Sequence, residues 1–104
     1  MIYVKVHNTE NGKIIAMCDE SLIGKVLEDG KAVMDLKTYS DFYNGSLIVP
    51  SQFPDVPATE IVSANVVGEE SVDVAIKHRI IEKGHIKTIK GVPYAHAYKV
   101  ELRG

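Results

Sequence analysis

The sequence predicts an α+β fold: a single domain over residues 1–104, with a mainly antiparallel sheet and two helices packed on it. Three observations lead there. Segments with a side-chain period of two stand near both ends of the chain. Segments with helical spacing lie between them. Glycine-containing turn signals separate the two kinds, which gives the order hairpin, helix, strands, helix, hairpin. A ferredoxin-like or split arrangement is compatible with this order, which leaves the strand order open.

Taken in turn, Ile2, Val4 and Val6 alternate with Tyr3, Lys5 and His7, the pattern of a half-buried strand. Asn11-Gly12 tolerates positive φ and marks a hairpin, with Lys13 to Cys18 as the returning strand. Asp19 can cap a helix, and Leu22, Ile23, Val26 and Leu27 follow at helical offsets, with Gly30 past the end. Lys31 to Leu36 reads as a strand. Tyr39, Phe42 and Tyr43 form a short helical turn ended by Asn44-Gly45, and Ser46 to Val49 a brief strand. Pro50, Pro54 and Pro57 exclude regular helix or central strand there.

Ile61 to Val67 is strand-like with imperfect alternation, and Gly68 closes it. A helix begins near Glu69. Its acids (Glu69, Glu70, Asp73) come first and its bases (Lys77, His78, Arg79) last, which suits the helix dipole. Val74 and Ile81 fall nearly opposite Val72, Ile76 and Ile80, so this helix either stops before Ile80 or is buried on two sides. Ile86 to Ile89 predicts a strand, Gly91-Val92-Pro93 a sharp loop, and Tyr98 to Leu102 a final strand.

Composition narrows the class. With 45% hydrophobic and 25% charged residues, the chain carries enough apolar material to fold. One cysteine, Cys18, excludes an internal disulfide. The first residues lack the unbroken apolar stretch of a signal peptide, and no run approaches the ~20 apolar residues of a membrane span. The expectation is a cytoplasmic protein with no membrane partner.

The net charge of −2 conceals an asymmetry. Residues 1–75 hold 5 Lys and 12 Asp or Glu, a balance of −7; residues 76–104 hold 7 Lys or Arg and 2 Glu, a balance of +5. Such a basic segment attracts an anionic partner such as RNA or a ribonucleoprotein if its charges share a face. The alternative is that they scatter over solvated surfaces.

Three segments carry candidate chemistry. Cys18-Asp19-Glu20 places a thiol where a helix opens, a setting for a nucleophile, although the adjacent acids disfavour a thiolate. The alternative is a buried core cysteine beside a capping aspartate. Asn65, Gly68 and Glu69 lie in a strand-to-helix turn, a place where amides can hold a phosphate. No P-loop or dinucleotide fingerprint accompanies them, and Asn65 needs hydrogen-bond partners if buried. Gly91, Pro93, Tyr94 and His96 offer a rigid loop with an aromatic and an imidazole. With Lys87, Lys90 and Lys99 they could stack and hold single-stranded nucleic acid; the alternative is a hairpin loop with its tyrosines in the core. His78, His85, His96 and Cys18 lack metal-ligand spacing, so neither metal nor cofactor is expected.

Several motifs in this order resemble an archaeal family, domain-of-unknown-function family 424. They are Val4-Lys5-Val6-His7, Cys18-Asp19-Glu20 with Leu22, Gly24 and Lys25, Ala64-Asn65 with Val67-Gly68-Glu69, and Gly91-Val92-Pro93 with Ala95. The family has histidine directly after Gly-Val-Pro, where this chain has Tyr94, with its histidine at His96. The resemblance implies an archaeal cytoplasmic protein without an established activity, linked by genomic association to translation and ribosome-related genes. Three functional classes follow: an RNA or ribonucleoprotein binding module using Lys77, Arg79, Lys87, Lys90, Lys99 and Arg103 with Tyr94 and His96; a protein–protein adaptor or homodimer through an edge strand; and a small enzyme using Cys18, Asp19 or His96.

Overall fold

The computed structural model describes residues 1–98. Lys99, Arg103 and most of the strand expected at Tyr98 to Leu102 lie outside the described residues.

Strand β1 (Ile2–Thr9) turns back into β2 (Gly12–Asp19), with Ile2 opposite Asp19 and Thr9 opposite Gly12. The turn is therefore Glu10-Asn11, and Gly12 already belongs to the strand. Strand β5 (Ser46–Ile48) pairs antiparallel with β1, while β6 (Ile61–Val67) pairs parallel with β2. Strands β7 (Ile86–Ile89) and β8 (Val92–Tyr98) form an antiparallel hairpin that joins β6 through β8. The sheet order is β5-β1-β2-β6-β8-β7. It is mainly antiparallel, with its one parallel pair at the centre, and it is not a ferredoxin-like order.

The centre is covered on both faces. On one face Ile2, Val4, Ile15, Met17, Ala64, Val66, Ala95 and Ala97 pack with Val72, Val74 and Ala75 of helix α2 (Glu69–Lys77). On the other, Ala16, Cys18 and Val67 pack with Leu36 and with Tyr43 of the short helix α1 (Ser40–Tyr43). That two-sided cover explains why Ile15 to Asp19 is buried without a break. The imperfect alternation of β6 also has a cause. The register shifts between Lys13 and Ile14, so Val62 is an extra residue, and Ile61 and Ala64 reach the same core despite their opposite parity.

The helix expected after Asp19 does not form. A single 3-10 turn (Glu20–Leu22) is followed by Gly24 at φ +85°, and the chain then makes a separate hairpin of β3 (Val26–Asp29) and β4 (Ala32–Asp35). Leu22 and Ile23 pack on the second face, but Val26 points into solvent, so the helical stripe never assembles. Gly30 sits in the hairpin turn instead of past a helix end. Backbone bonds close the base of this hairpin: Gly24 N–H to the Leu36 carbonyl and Leu36 N–H to the Lys25 carbonyl, both 2.8 Å.

The helix α2 ends before Ile80. His78 is its last half-helical residue and Arg79 takes φ +58°. The Ile80 N–H returns to the Ala75 carbonyl and the Arg79 N–H to the Ile76 carbonyl. This is a Schellman motif, and it swings Ile80 and Ile81 into the core. The proline-rich stretch forms two 3-10 turns, Pro50–Gln52 and Ala58–Glu60. Among the described residues no helix is long and apolar enough to cross a membrane.

Candidate functional site

Directly opposed residues in neighbouring strands share a face. The register therefore aligns Lys5, Ala16, Asn65 and His96 in one row across the second face. The next row runs Tyr3, Cys18, Val67, Tyr94 and Lys87. Asn65, Tyr94, His96 and Lys87, far apart in sequence, thus meet on one surface. The loop expected at Gly91-Val92-Pro93 is smaller than predicted: Lys90-Gly91 alone makes the turn. Both take positive φ (+52° and +76°), as a type I′ hairpin needs, and Val92 and Pro93 belong to β8. The early start of β8 is what puts Tyr94 and His96 on the same face.

Above this floor stand the β4 strand and α1. Val33, Met34, Asp35, Leu36, Tyr39, Phe42 and Tyr43 enclose, with Asn65 and His96, a cleft of about 560 Å³. Two floor residues pin α1 in place. The Lys5 Nζ donates to the Asp41 carbonyl at 2.7 Å, and the His7 ring stacks on Phe42 (centroids 4.5 Å apart, 14° between planes) with Nε2 2.9 Å from the Phe42 carbonyl. Burial, and then Cys18, push the Tyr43 phenol up to about 12, so it remains a protonated hydroxyl. Asp35 is held below the usual carboxyl range by the Thr38 amide and hydroxyl and the Lys37 amide, and stays anionic.

Asn65 is half-buried, and its amide makes no hydrogen bond to another described residue. Among the described residues only the Ser71 Oγ is a fully buried side-chain polar atom without a partner, so the Asn65 amide opens to the cleft with donor and acceptor available there. Partial burial, and then Lys87, lower the His96 pKa, which favours the neutral ring. Tyr94 meets it edge to face at 5.8 Å.

The other candidates fall elsewhere. Glu69, Gly91 and Pro93 line a small separate recess of about 190 Å³ with Asp19. Gly68 is buried and structural: its N–H donates to the Pro93 carbonyl at 2.8 Å. Two of the helix amides that a phosphate would need are already taken. Asp19 Oδ1 accepts from Ser71 N–H (2.8 Å) and Oδ2 from Glu70 N–H (3.2 Å). Asp19 therefore does cap a helix, but it is α2, some fifty residues further along the chain. Lys77 pairs with Asp73 on α2 at 3.2 Å, and Arg79 lines a different cavity of about 620 Å³. The described basic residues of the last segment thus divide: Lys77 and Arg79 lie at the end of α2, while Lys83 stands just before the β7–β8 hairpin and Lys87 and Lys90 lie within it.

Cys18, Asp19 and His96 do not converge. Cys18 is fully buried, with Sγ donating weakly to the Asp19 carbonyl, and burial together with Asp19 pushes its thiol up to about 12. A disulfide thiol reagent should leave the native protein unmodified at neutral pH and titrate the single thiol after guanidinium unfolding. Rapid native labelling would contradict this burial. Among the described residues no three His, Cys, Asp or Glu side chains gather as a metal would require.

Sequence reasoning singled out the floor of the cleft and missed its walls. A signal was present: three of the chain's seven aromatic residues (five Tyr, two Phe) fall within residues 39–43. The comparison that decides the family is a match to the family model described as "Protein of unknown function (DUF424)", over residues 6–100. The chain belongs to the DUF424 family. A solved structure of similar fold is an uncharacterized conserved protein from Methanopyrus kandleri, with a TM-score of 0.73, 23% identity, and coverage of 99% of this chain and 98% of that one. That likeness concerns the fold of this DUF424 member alone. A comparison with curated proteins returns no match.

Proposed function

We propose that this DUF424 protein is a non-catalytic binding module for RNA, taking an unpaired base into the cleft between α1 and the sheet, within a translation- or ribosome-associated complex. The observation that carries the reading is the free, half-buried Asn65 amide under aromatic walls. Aromatic rings stack on a base of any sequence, and an amide pairs with the donor and acceptor on its edge. The cleft volume lies within the roughly 300–1,000 Å³ common for small-molecule sites. Tyr39 is 64% exposed and lines the cleft, so its ring is available for stacking. Lys87 and Lys90 supply cations for the backbone at one end. The sheet edges β5 and β7 are three and four residues long, a short template for pairing with a second copy.

Fluorescence anisotropy with a labelled single-stranded oligoribonucleotide and its duplex tests the reading. The single strand should bind preferentially and weaken steeply with added salt. Tyr39→Ala, at an exposed position, should reduce affinity roughly tenfold or more without lowering the melting temperature. Absence of single-strand binding at low salt would sink the reading; so would undiminished binding by the variant.

A further inference from the structure

The cleft does not end at His96. A second compartment of about 230 Å³ adjoins it and shares Val33, Met34 and His96 as its partition. Its own lining differs in chemistry: His85, Lys87 and Tyr94 in place of Asp35 and the α1 aromatics. The acid of the pair of compartments lies on one side and the cations on the other.

His85 is preset as a donor. The Glu82 N–H donates to its Nδ1 at 3.1 Å, as part of a reciprocal capping arrangement around the 3-10 turn Lys83–His85. A ring whose Nδ1 accepts a hydrogen bond carries its proton on Nε2. That leaves an N–H for an acceptor in the compartment that Lys87 also lines. The Lys87 side chain has no carboxylate partner among the described ion pairs. Asp29 of β3 accepts from the Lys90 N–H at 3.4 Å, at the turn end of the β7–β8 hairpin. Lys87, His85 and His96 thus form an anion-binding set next to a base-sized cleft.

We infer that the second compartment holds the phosphate attached to the bound base, so that the site recognises a nucleotide unit and not a base alone. This rests on the RNA reading above, and it adds a direction. Asp35 repels phosphate from the α1 side, so the backbone enters over β7 and the base points toward α1.

Isothermal titration with the four nucleosides and their monophosphates, alongside RNA binding by anisotropy, tests this. The monophosphate of the preferred base should bind about tenfold or more tightly than its nucleoside, as a charge-assisted contact gives. Lys87→Gln should abolish that gap by lowering affinity for the monophosphate toward that of the nucleoside. In RNA binding it should lower the salt slope by about one phosphate contact. Lys83→Gln, on the same 3-10 turn but outside the compartment, is the control and should change neither. Equal binding of nucleoside and monophosphate, with RNA binding intact, overturns the phosphate compartment and spares the RNA reading. Loss of RNA binding altogether in the wild-type protein overturns both.

Discussion

Replacing Gly68 with alanine should destabilise the fold by roughly 2–5 kcal/mol. Two causes act together. Gly68 sits at φ +106°, ψ 156°, a region closed to residues with a β-carbon. A β-carbon there would also collide with the Asp19 carboxyl group. That carboxyl is the cap of α2, bonded to the amides of Glu70 and Ser71, so the new methyl displaces the group on which the helix start depends. At about 4–8 °C per kcal/mol for a domain of this size, the midpoint of thermal unfolding should fall well outside error. Asp19→Ala alone should cost about 0.5–2 kcal/mol, as lost caps do. The combination is the stronger check. With the carboxyl gone the collision is gone, so the double variant should lose less than the sum of the single losses. Strict additivity, or a Gly68→Ala protein as stable as wild type, would show that Asp19 and Gly68 do not act as this geometry requires.

The same pair shows what the sequence could and could not disclose. Asp19 reads as the cap of the helix expected to follow it; it caps a helix, but a different one, because its carboxylate reaches the amides of Glu70 and Ser71. Which helix it caps is decided by the pairing of β2 with β6, which places the end of one strand beside the start of α2. No local pattern encodes that. The false helix at residues 20–29 has a related origin. Leu22, Ile23, Val26 and Leu27 satisfy helical offsets, and a left-handed Gly30 suits either a helix end or a hairpin turn. The choice goes to the hairpin through Gly24 and the backbone bonds to Leu36, a residue the helical window never includes. By contrast, the start of α2 and the acids of its first turn are local and legible, whereas the sequence leaves its end open between a stop before Ile80 and burial on two sides, and the turn at Arg79 decides for the first. At the site, Asn65 is visible as an amide that needs partners if buried, and Tyr94 with His96 as an aromatic and an imidazole beside one turn. Their convergence with α1 is not visible, because α1 is four residues long and is held by Lys5 and His7 of β1, more than thirty residues away in sequence.

Leu36→Ala should cost about 2–5 kcal/mol and should open the cleft from above. Leu36 is 1% exposed and packs with Ala16, Cys18, Tyr43 and Val67. A two-stranded hairpin is marginal by itself, and much of β3–β4 is solvated: Val33 is 61% exposed and Val26 45%. Its far end has one long bond to the sheet, from the Lys90 N–H to Asp29 at 3.4 Å, so most of its hold is the anchor at its base, where Leu36 supplies both the buried side chain and the two backbone bonds to Gly24 and Lys25. Truncation leaves a cavity under that anchor, so the hairpin should loosen before the sheet does. Hydrogen exchange should accelerate at the amides of residues 24–36 while those of β1 and β2 exchange much as before. Ligand affinity should fall with it, although Leu36 offers no polar group, because Val33, Met34 and Asp35 of the strand just before it form the upper wall. Leu36→Met conserves volume and should cost less than about 1.5 kcal/mol, keeping both exchange and binding close to wild type. If the alanine variant instead exchanged uniformly faster across the whole sheet, the hairpin would be an inseparable part of the core, and the cleft would lack an independently moving wall.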